Sequence, residues 1–478
     1  MQFDFIVAVD SNWGIAREGK LPWKGTPAGR EDMNWFKNKT SEGKQAVIMG
    51  RKTWDSIPVK FRPLPNRINI ILSSKYETTT VSDEKSQIVT SESFESALKW
   101  CSGKFATGEL TNIMVIGGAE VYKQAIYSPY LRYGYVTIFN EDYDCDLRFP
   151  IDLSLVSHEI LNMTPNASYI KYDFTNVYEQ KYLKLLSKLL TAPVRDNRTG
   201  IPTHSLFCES LRFPLSDCRG DIMPLLTTKR VPFKMVAHEI IWFLSGETNI
   251  EYLKQHNIKI WDGNTSREFL DLCGLADYPE GELGAGYGHQ WRNFGGDYTP
   301  KEVKRNGVDQ IKNVINSIKN DPYSRRHIVS AWNPQQLHQV ALVPCHTLFQ
   351  FYVEPDINGV PTWLSCCLYQ RSGDVPVGSP FNISSYGLLM HIIAKICNLK
   401  AKEFVVHITD AHLYINQIDG VKTQINRQPL RFPTFKFSED ILEKENLEID
   451  DFVSTFTPDD FIISDYKPHP SIKLPMSI

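Results

Sequence analysis

Short runs rich in β-branched and aromatic residues recur at positions 3–9, 46–49, 68–72, 113–116 and 133–139, separated by turn residues or helical stretches. That order predicts an α/β domain built on a mostly parallel, twisted sheet with flanking helices. A last extended segment near 169–178 places Ile170, Tyr172 and Phe174 on one face. From Glu179 the period changes: Tyr182, Leu185, Leu186, Leu189 and Leu190 fall at helical spacing. The seam of a two-domain chain is expected here, giving residues 1–178 and 179–478. No Gly/Ser-rich or Pro-rich tether separates the halves, so the connection predicts a restricted geometry. Arg-Phe-Pro recurs at Arg148, Arg212 and Arg431, but nothing around it repeats.

The totals support this division. At 478 residues the chain exceeds what one core holds, since single cores stop growing at roughly 250 to 300 residues. Hydrophobic residues at 42% and charged residues at 22% are those of an ordinary globular protein. A formal net charge of -3 gives no global pull towards nucleic acid, so any anion site has to gather Arg and Lys locally. Nine cysteines, an odd and scattered count, and an opening MQFDFIVAV without a leader pattern suit a reducing, cytoplasmic setting. Apolar runs such as 240–244 are core-sized, and no membrane partner is expected.

Candidate chemistry in the first half begins at Asp32. It follows Leu21-Pro22-Trp23 and an expected loop, and is followed by Met33, Trp35 and Phe36. Read alone, it is either an exposed acid at a helix start or a carboxylate desolvated among apolar side chains. The second would resist ionisation and could deliver a proton to a substrate nitrogen. Val47-Ile48-Met49-Gly50-Arg51-Lys52-Thr53-Trp54 reads as a buried strand running into a Gly turn with cations beyond it. Ile116-Gly117-Gly118-Ala119 repeats the theme, either as a tight turn or as a site where backbone N–H groups approach a pyrophosphate.

In this order, these segments resemble the dihydrofolate reductase family over residues 3–178. The resemblance implies that Asp32 meets the folate ring, that Phe36 stacks near it and that Arg67 meets the substrate's glutamate carboxylate. Ile6 and Ala8 match pocket positions. Ala8, Arg51, Lys52, Thr53, Ser73, Gly117, Gly118 and Tyr122 match positions around NADPH. Two departures stand out. Ser74 occupies a place where many members carry a basic residue, with Lys75 one position later, and the stretch from Trp23 to Asp32 carries extra residues, including Gly25, Pro27 and Gly29.

In the second half, Val343-Pro344-Cys345-His346 sets one thiol beside an imidazole, ahead of a strand-like run at 348–353. Cys345 is either a buried structural thiol or a nucleophile, and nearby guanidinium charge would lower its pKa. Asn197-Arg198-Thr199-Gly200, Ser324-Arg325-Arg326-His327 and Gln370-Arg371-Ser372-Gly373-Asp374 each supply Arg, as solvated surface or as parts of a clamp for a phosphate dianion.

Together with Leu225-Leu226-Thr227-Thr228-Lys229, His238-Glu239, Trp261-Asp262, Tyr287-Gly288, Pro380-Phe381-Asn382 and Asp410-Ala411-His412-Leu413-Tyr414, these resemble the thymidylate synthase family over 182–478. That family implies an α+β domain with a mixed sheet. Cys345 would add to C6 of the uracil of dUMP. Arg198, Arg371 and Ser372 would hold the phosphate, with Arg325 and Arg326 reaching in from the partner of a homodimer. Asn382 would fix the ring, and His412 with Tyr414 the deoxyribose. Glu239, Tyr287 and His346 would serve proton transfer. Trp261 and Asp374 would contact 5,10-methylenetetrahydrofolate, and the tail Pro475-Met476-Ser477-Ile478 would close over the ligands. Gly284-Ala285-Gly286-Tyr287 and the Val-Pro-Val-Gly-Ser after Asp374 depart from the family pattern.

The fusion of the two resembles the bifunctional enzymes of protozoa and plants, although the nearly absent junction differs from members with a long one. Such a chain would make thymidylate and recycle its folate with NADPH, without a metal and without a nucleic-acid partner. Two readings compete: one half as a degenerate scaffold for dimerisation or docking, against which the retained Asp32, Arg67, Cys345 and Asn382 count, and an RNA-binding regulator, against which the lack of a basic tail or RNA-binding motif counts.

Overall fold

The structure is a computed structural model that describes residues 1–74, 79–82, 87–300 and 302–476. Lys75 and the terminal Ser477 and Ile478 lie outside the described residues. The chain divides into two compact units, Met1–Thr175 with Asp217–Arg219, and Asn176–Ser216 with Gly220–Ile478.

The first unit is a nine-stranded sheet in the order His158–Met163, Ala167–Asp173, Leu131–Phe139, Phe3–Val9, Asn112–Gly117, Gln45–Gly50, Arg67–Leu72, Gln87–Ser91, Thr79–Ser82. The six strands from Leu131–Phe139 to Gln87–Ser91 run parallel, and the outer ones pair antiparallel. Parallel strands covered on both faces read as near-continuous apolar runs. This is why Phe3–Val9 and Gln45–Gly50 stand out in the sequence, with Val47, Ile48 and Met49 fully buried. Helices Phe94–Ala106 and Ala119–Tyr127 pack their apolar faces into the same core.

Two elements differ from the pattern-based expectation. The stretch between Trp23 and Asp32 is not all loop, because a helix spans Pro27–Lys39. Thr26 caps it by accepting from the Gly29 N–H, and Pro27 sits in the first turn, where a missing N–H costs nothing. Gly29 is required there, since a Cβ would lie 2.1 Å from the Trp23 carbonyl oxygen. The extended segment expected through 178 ends sooner: the strand is Ala167–Asp173 and the next helix is Val177–Leu189. Asn176 caps that helix through the Glu179 N–H, so it starts ahead of the first apolar residue in the repeat. Its buried face carries Tyr182, Leu185, Leu186 and Leu189.

The second unit holds a six-stranded sheet in the order Val194–Arg195, Thr203–Pro214, Lys400–Tyr414, Pro361–Asp374, His346–Pro355, Ile328–Ser330. Only the pair Pro361–Asp374 and Lys400–Tyr414 is parallel, so the sheet is mixed. One face, with Phe349, Phe351, Leu368, Phe404 and Val406, packs into a core with helices Phe233–Ser245 and Gly378–Ile396. Gly378–Ile396 is buried on nearly every side, which is why its sequence shows no polar stripe.

Candidate active sites

In the first unit the parallel strands Phe3–Val9, Gln45–Gly50, Arg67–Leu72 and Asn112–Gly117 end on one edge of the sheet. Met49 pairs with Gly117, so two strand-to-helix turns lie side by side, one leading into Arg51–Ser56 and the other into Ala119–Tyr127. Gly117 takes φ +126°, and a Cβ on it would lie 3.3 Å from the Tyr122 hydroxyl. A Cβ on Gly118 would lie 3.2 Å from Thr53 Oγ1. The glycines thus keep open a cradle edged by backbone N–H groups, with Arg51 and Lys52 exposed beside it. Such a cradle fits a phosphate-bearing dinucleotide. Tyr122 donates to the Ile6 carbonyl at 2.8 Å, tying this turn to the central strand. Ala8 is half-buried on that strand, and Ser73 is buried at the end of Arg67–Leu72. Ser74 is exposed.

Asp32 sits in the middle of helix Pro27–Lys39 and is only 7% exposed. Burial pushes its carboxyl up to about 6, and the Thr137 hydroxyl offsets part of that. Met33, expected to help enclose it, points outward, and Phe36 is half-buried against Ile6, Val47, Met49 and Ile116. Arg67 is buried at the start of its strand, bonded to the Thr40 hydroxyl and the Pro65 carbonyl. Burial lowers its pKa. Thr137, on strand Leu131–Phe139, was not singled out in the sequence. A lone Thr within a β-branched run carries no local signal.

In the second unit, Cys345 lies just ahead of strand His346–Pro355. Its backbone N–H donates to the Tyr287 hydroxyl at 2.8 Å, and its carbonyl accepts from Arg371 N at 3.0 Å. Arg371 is held over the Trp332 ring, its Nε donating to Pro344 O at 2.8 Å and Nη2 to Val343 O at 2.6 Å. One expectation is corrected here. The Cys345 thiol is pushed above its ordinary pKa, because burial outweighs the opposing charges of Arg371 and Arg198. Arg198 is exposed in the turn before strand Thr203–Pro214. Arg325 and Arg326 are exposed, and neither is among the charges acting on Cys345.

Around Cys345 the aromatic rings are continuous: Tyr287 lies 5.2 Å from His346 and 6.1 Å from Trp261 between centroids. The Gly284-Ala285-Gly286 turn places Tyr287, and it has no room for more. Gly284 has φ +90°, and a Cβ there would be 2.1 Å from Gln339 O. Glu239, on helix Phe233–Ser245, accepts from Trp261 Nε1 at 2.9 Å, and burial raises its carboxyl to about 7. His346 is pushed down to about 4 by burial, against a bond with Asn382, so its ring is neutral at physiological pH. Asn382 Oδ1 accepts from Gln370 at 3.1 Å, and the same Gln370 amide donates to Ser372 O at 3.0 Å. His412 and Tyr414 meet edge to face at 5.4 Å. Asp374 accepts from Val377 N at 3.1 Å and Gln417 Nε2 at 2.9 Å, and burial raises its pKa.

Lys229, Ser385 and Gln417 belong to this constellation and were not given roles from the sequence. Lys229 is buried, bonded to Pro376 O, and its pKa falls to about 8 through burial, with Asp374 opposing. The Leu-Leu-Thr-Thr-Lys run was the available signal for it. The Ser385 hydroxyl, buried on helix Gly378–Ile396, opposes the rise of the Glu239 carboxyl.

The dihydrofolate reductase family model matches residues 2–181, and the thymidylate synthase family model matches residues 180–478. Over the full chain, the bifunctional dihydrofolate reductase-thymidylate synthase of Leishmania major is 40% identical, with 95% of that protein covered. The bifunctional dihydrofolate reductase-thymidylate synthase of Zea mays is 37% identical, with 97% of it covered. This chain belongs to the bifunctional dihydrofolate reductase-thymidylate synthase family. It carries a reductase domain followed by a synthase domain and has both activities; the first uses NADPH and the second 5,10-methylenetetrahydrofolate.

Proposed function

We propose that Cys345 is the synthase nucleophile and Asp32 the reductase proton source. Supporting the first is a thiol whose own backbone is pinned to Tyr287 between two guanidinium charges. In the synthase domain Arg198, Arg371 and Ser372 hold the phosphate of dUMP, Asn382 the uracil, and His412 with Tyr414 the sugar hydroxyl. Sγ adds to C6 and gives up its proton as it does so, because a thiol this buried is not a standing thiolate. The C5 enolate then attacks the methylene carbon carried by tetrahydrofolate. Loss of the C5 proton breaks the bond between the methylene carbon and the tetrahydrofolate nitrogen and leaves an exocyclic methylene on C5; hydride from tetrahydrofolate adds to that methylene, Sγ is expelled from C6, and dTMP and dihydrofolate are released. Glu239 handles the proton traffic, together with Tyr287 and the neutral His346. Trp261 and Asp374 contact the folate.

Glu239 titrates near pH 7, so the synthase pH profile should show an inflection there. Glu239→Gln should remove the inflection and lower kcat roughly a hundredfold or more. An unchanged profile would remove Glu239 from the proton path.

In the reductase domain Ala8, Arg51, Lys52, Thr53, Ser73, Gly117, Gly118 and Tyr122 surround NADPH. Bound there, it supplies the hydride for dihydrofolate. Arg67 takes the substrate's glutamate carboxylate, Ile6 and Phe36 line the ring pocket, and Asp32 supplies the proton for the ring. Two absorbance assays test the whole reading: NADPH oxidation with dihydrofolate, and dihydrofolate formation from dUMP and methylenetetrahydrofolate. Failure of either would reject it.

We also infer a homodimer through the synthase domain. The face of its sheet opposite the core carries exposed Leu348, Tyr352 and Tyr369, with Tyr369 directly paired to Leu348. An apolar sheet face of this kind marks an interaction surface. Arg325 and Arg326 would then complete the phosphate clamp of the partner's site. Mixing inactive Cys345→Ala with inactive Arg325→Ala/Arg326→Ala should restore roughly a quarter of the synthase activity after subunit exchange, as one site in four of the random dimers is intact. No restoration in a mixture shown to contain hybrid dimers would refute shared sites. None of the nine cysteines, all among the described residues, is in a disulfide, which suits a reducing cytoplasm. No helix among the described residues is long and apolar enough to cross a membrane.

A further inference from the structure

Gln417 ends the short helix Ile415–Gln417, immediately after strand Lys400–Tyr414, and is fully buried. Its side-chain oxygen accepts from the Tyr414 N–H at 3.0 Å. Its amide nitrogen donates to Asp374 Oδ2 at 2.9 Å and to the Pro475 carbonyl at 3.0 Å. Both amide hydrogens and the carbonyl are therefore committed. Turning the amide over would set its oxygen against a carboxylate and a carbonyl, and its NH2 against an N–H, so only one orientation is compatible with this site.

One buried amide thus joins three segments: the strand end bearing His412 and Tyr414, the carboxylate at the end of the neighbouring strand, and the backbone of the C-terminal segment. The next helix, Ile418–Ile425, provides a seat for that segment. Gly420 lies under it, where a Cβ would come within 2.3 Å of Leu474 Cδ2 and 3.1 Å of Ile472 Cγ2. Further back, Arg427 Nη1 donates to the Pro470 carbonyl at 2.6 Å. The segment is held at several points, but only the Gln417 contact is shared with Asp374.

We propose that Gln417 is a positioning residue that couples seating of the C-terminal segment to the orientation of Asp374 on the folate side of the synthase site. The proposal rests on the reading of Asp374 and the tail given above. With the amide in place, Asp374 has one oxygen on Val377 N and the other on Gln417, so its carboxylate plane is fixed. Displacing Pro475 leaves an amide hydrogen unpaired in a buried setting and loosens that plane. Tail closure and folate contact therefore reinforce each other, while none of the bonds made by the Gln417 amide runs to Arg198, Arg371 or Ser372 of the dUMP phosphate clamp.

Gln417→Met keeps the length and removes every bond; Gln417→Glu keeps an acceptor for the Tyr414 N–H and removes the donor to Asp374 and Pro475. In full-length protein of native thermal stability, both should raise KM for methylenetetrahydrofolate about tenfold and lower synthase kcat. In Gln417→Glu, which keeps the acceptor for the Tyr414 N–H, dUMP affinity by calorimetry should change less than about twofold, and reductase turnover should not change in either variant. Carboxypeptidase trimming in the presence of dUMP and a folate analogue should be faster than in wild type. Gln417→Glu behaving as wild type would overturn the proposal, as would parallel loss of dUMP and folate affinity. If Asp374→Ala and deletion of the last four residues leave the folate KM unchanged, the underlying reading fails instead; if they raise it while Gln417→Met does not, only the coupling fails.

Discussion

Cys345→Ala is expected to abolish thymidylate formation, by at least about 10⁴-fold, while NADPH-dependent reduction of dihydrofolate proceeds at the wild-type rate. The selectivity follows from how the residue is held. The contacts that place Cys345 are made by its backbone, N–H to the Tyr287 hydroxyl and carbonyl to Arg371 N, so alanine keeps them and loses only the thiol. Arg371 remains fixed by Val343 and Pro344 through their carbonyls, so dUMP should still bind. Intact-protein mass measurement with dUMP and a non-transferring folate analogue should show a covalent nucleotide adduct on wild type and none on the variant. Residual turnover within tenfold of wild type would mean that another group supplies the nucleophile.

The second large effect is at Asp32. Asp32→Asn is expected to lower reductase turnover at neutral pH by roughly a hundred- to a thousandfold and to leave synthase activity intact. Because the carboxyl titrates near 6, its proton is present below that pH and is lost above it, so wild-type turnover should fall as pH rises through about 6. The variant should lack that fall. Stability runs in the same direction. The folded-state pKa is raised from the ordinary 3.8 to about 6, so the folded state binds the proton more tightly than the unfolded chain does. Stabilisation from that proton is fully present below pH 3.8 and is lost as pH rises through 6, roughly 3 kcal/mol as an upper bound. Asparagine avoids that loss, so denaturant unfolding of the reductase domain at pH 8 should need more urea in the variant. A variant with unchanged pH dependence would place the proton source elsewhere.

Much of this was legible along the chain. The strands at 3–9 and 46–49 could be read because parallel strands buried on both faces leave uninterrupted apolar runs. The two glycine turns and the Pro-Cys-His run could be read because they need particular residue types in a fixed order. The helix starting at Pro27 was not, since Gly and Pro are shared by loops and first turns, and only the contact beneath Trp23 separates the two. The outward turn of Met33 was likewise invisible, because apolar character does not show which side of a helix faces the core.

Sequence alone determined the two-part organisation, the family of each part and the residue types available for chemistry, since these depend on order and local periodicity. Tertiary structure decided which of those residues act on one another and with what strength. Asp32 and Glu239 differ from other carboxylates only in burial, and the Cys345 thiol is raised although cations stand near it, because desolvation depends on every element packed around a group. Gln417 shows the same limit: its amide bonds to Asp374 and Pro475 join positions far apart in the chain, and no local pattern records that meeting.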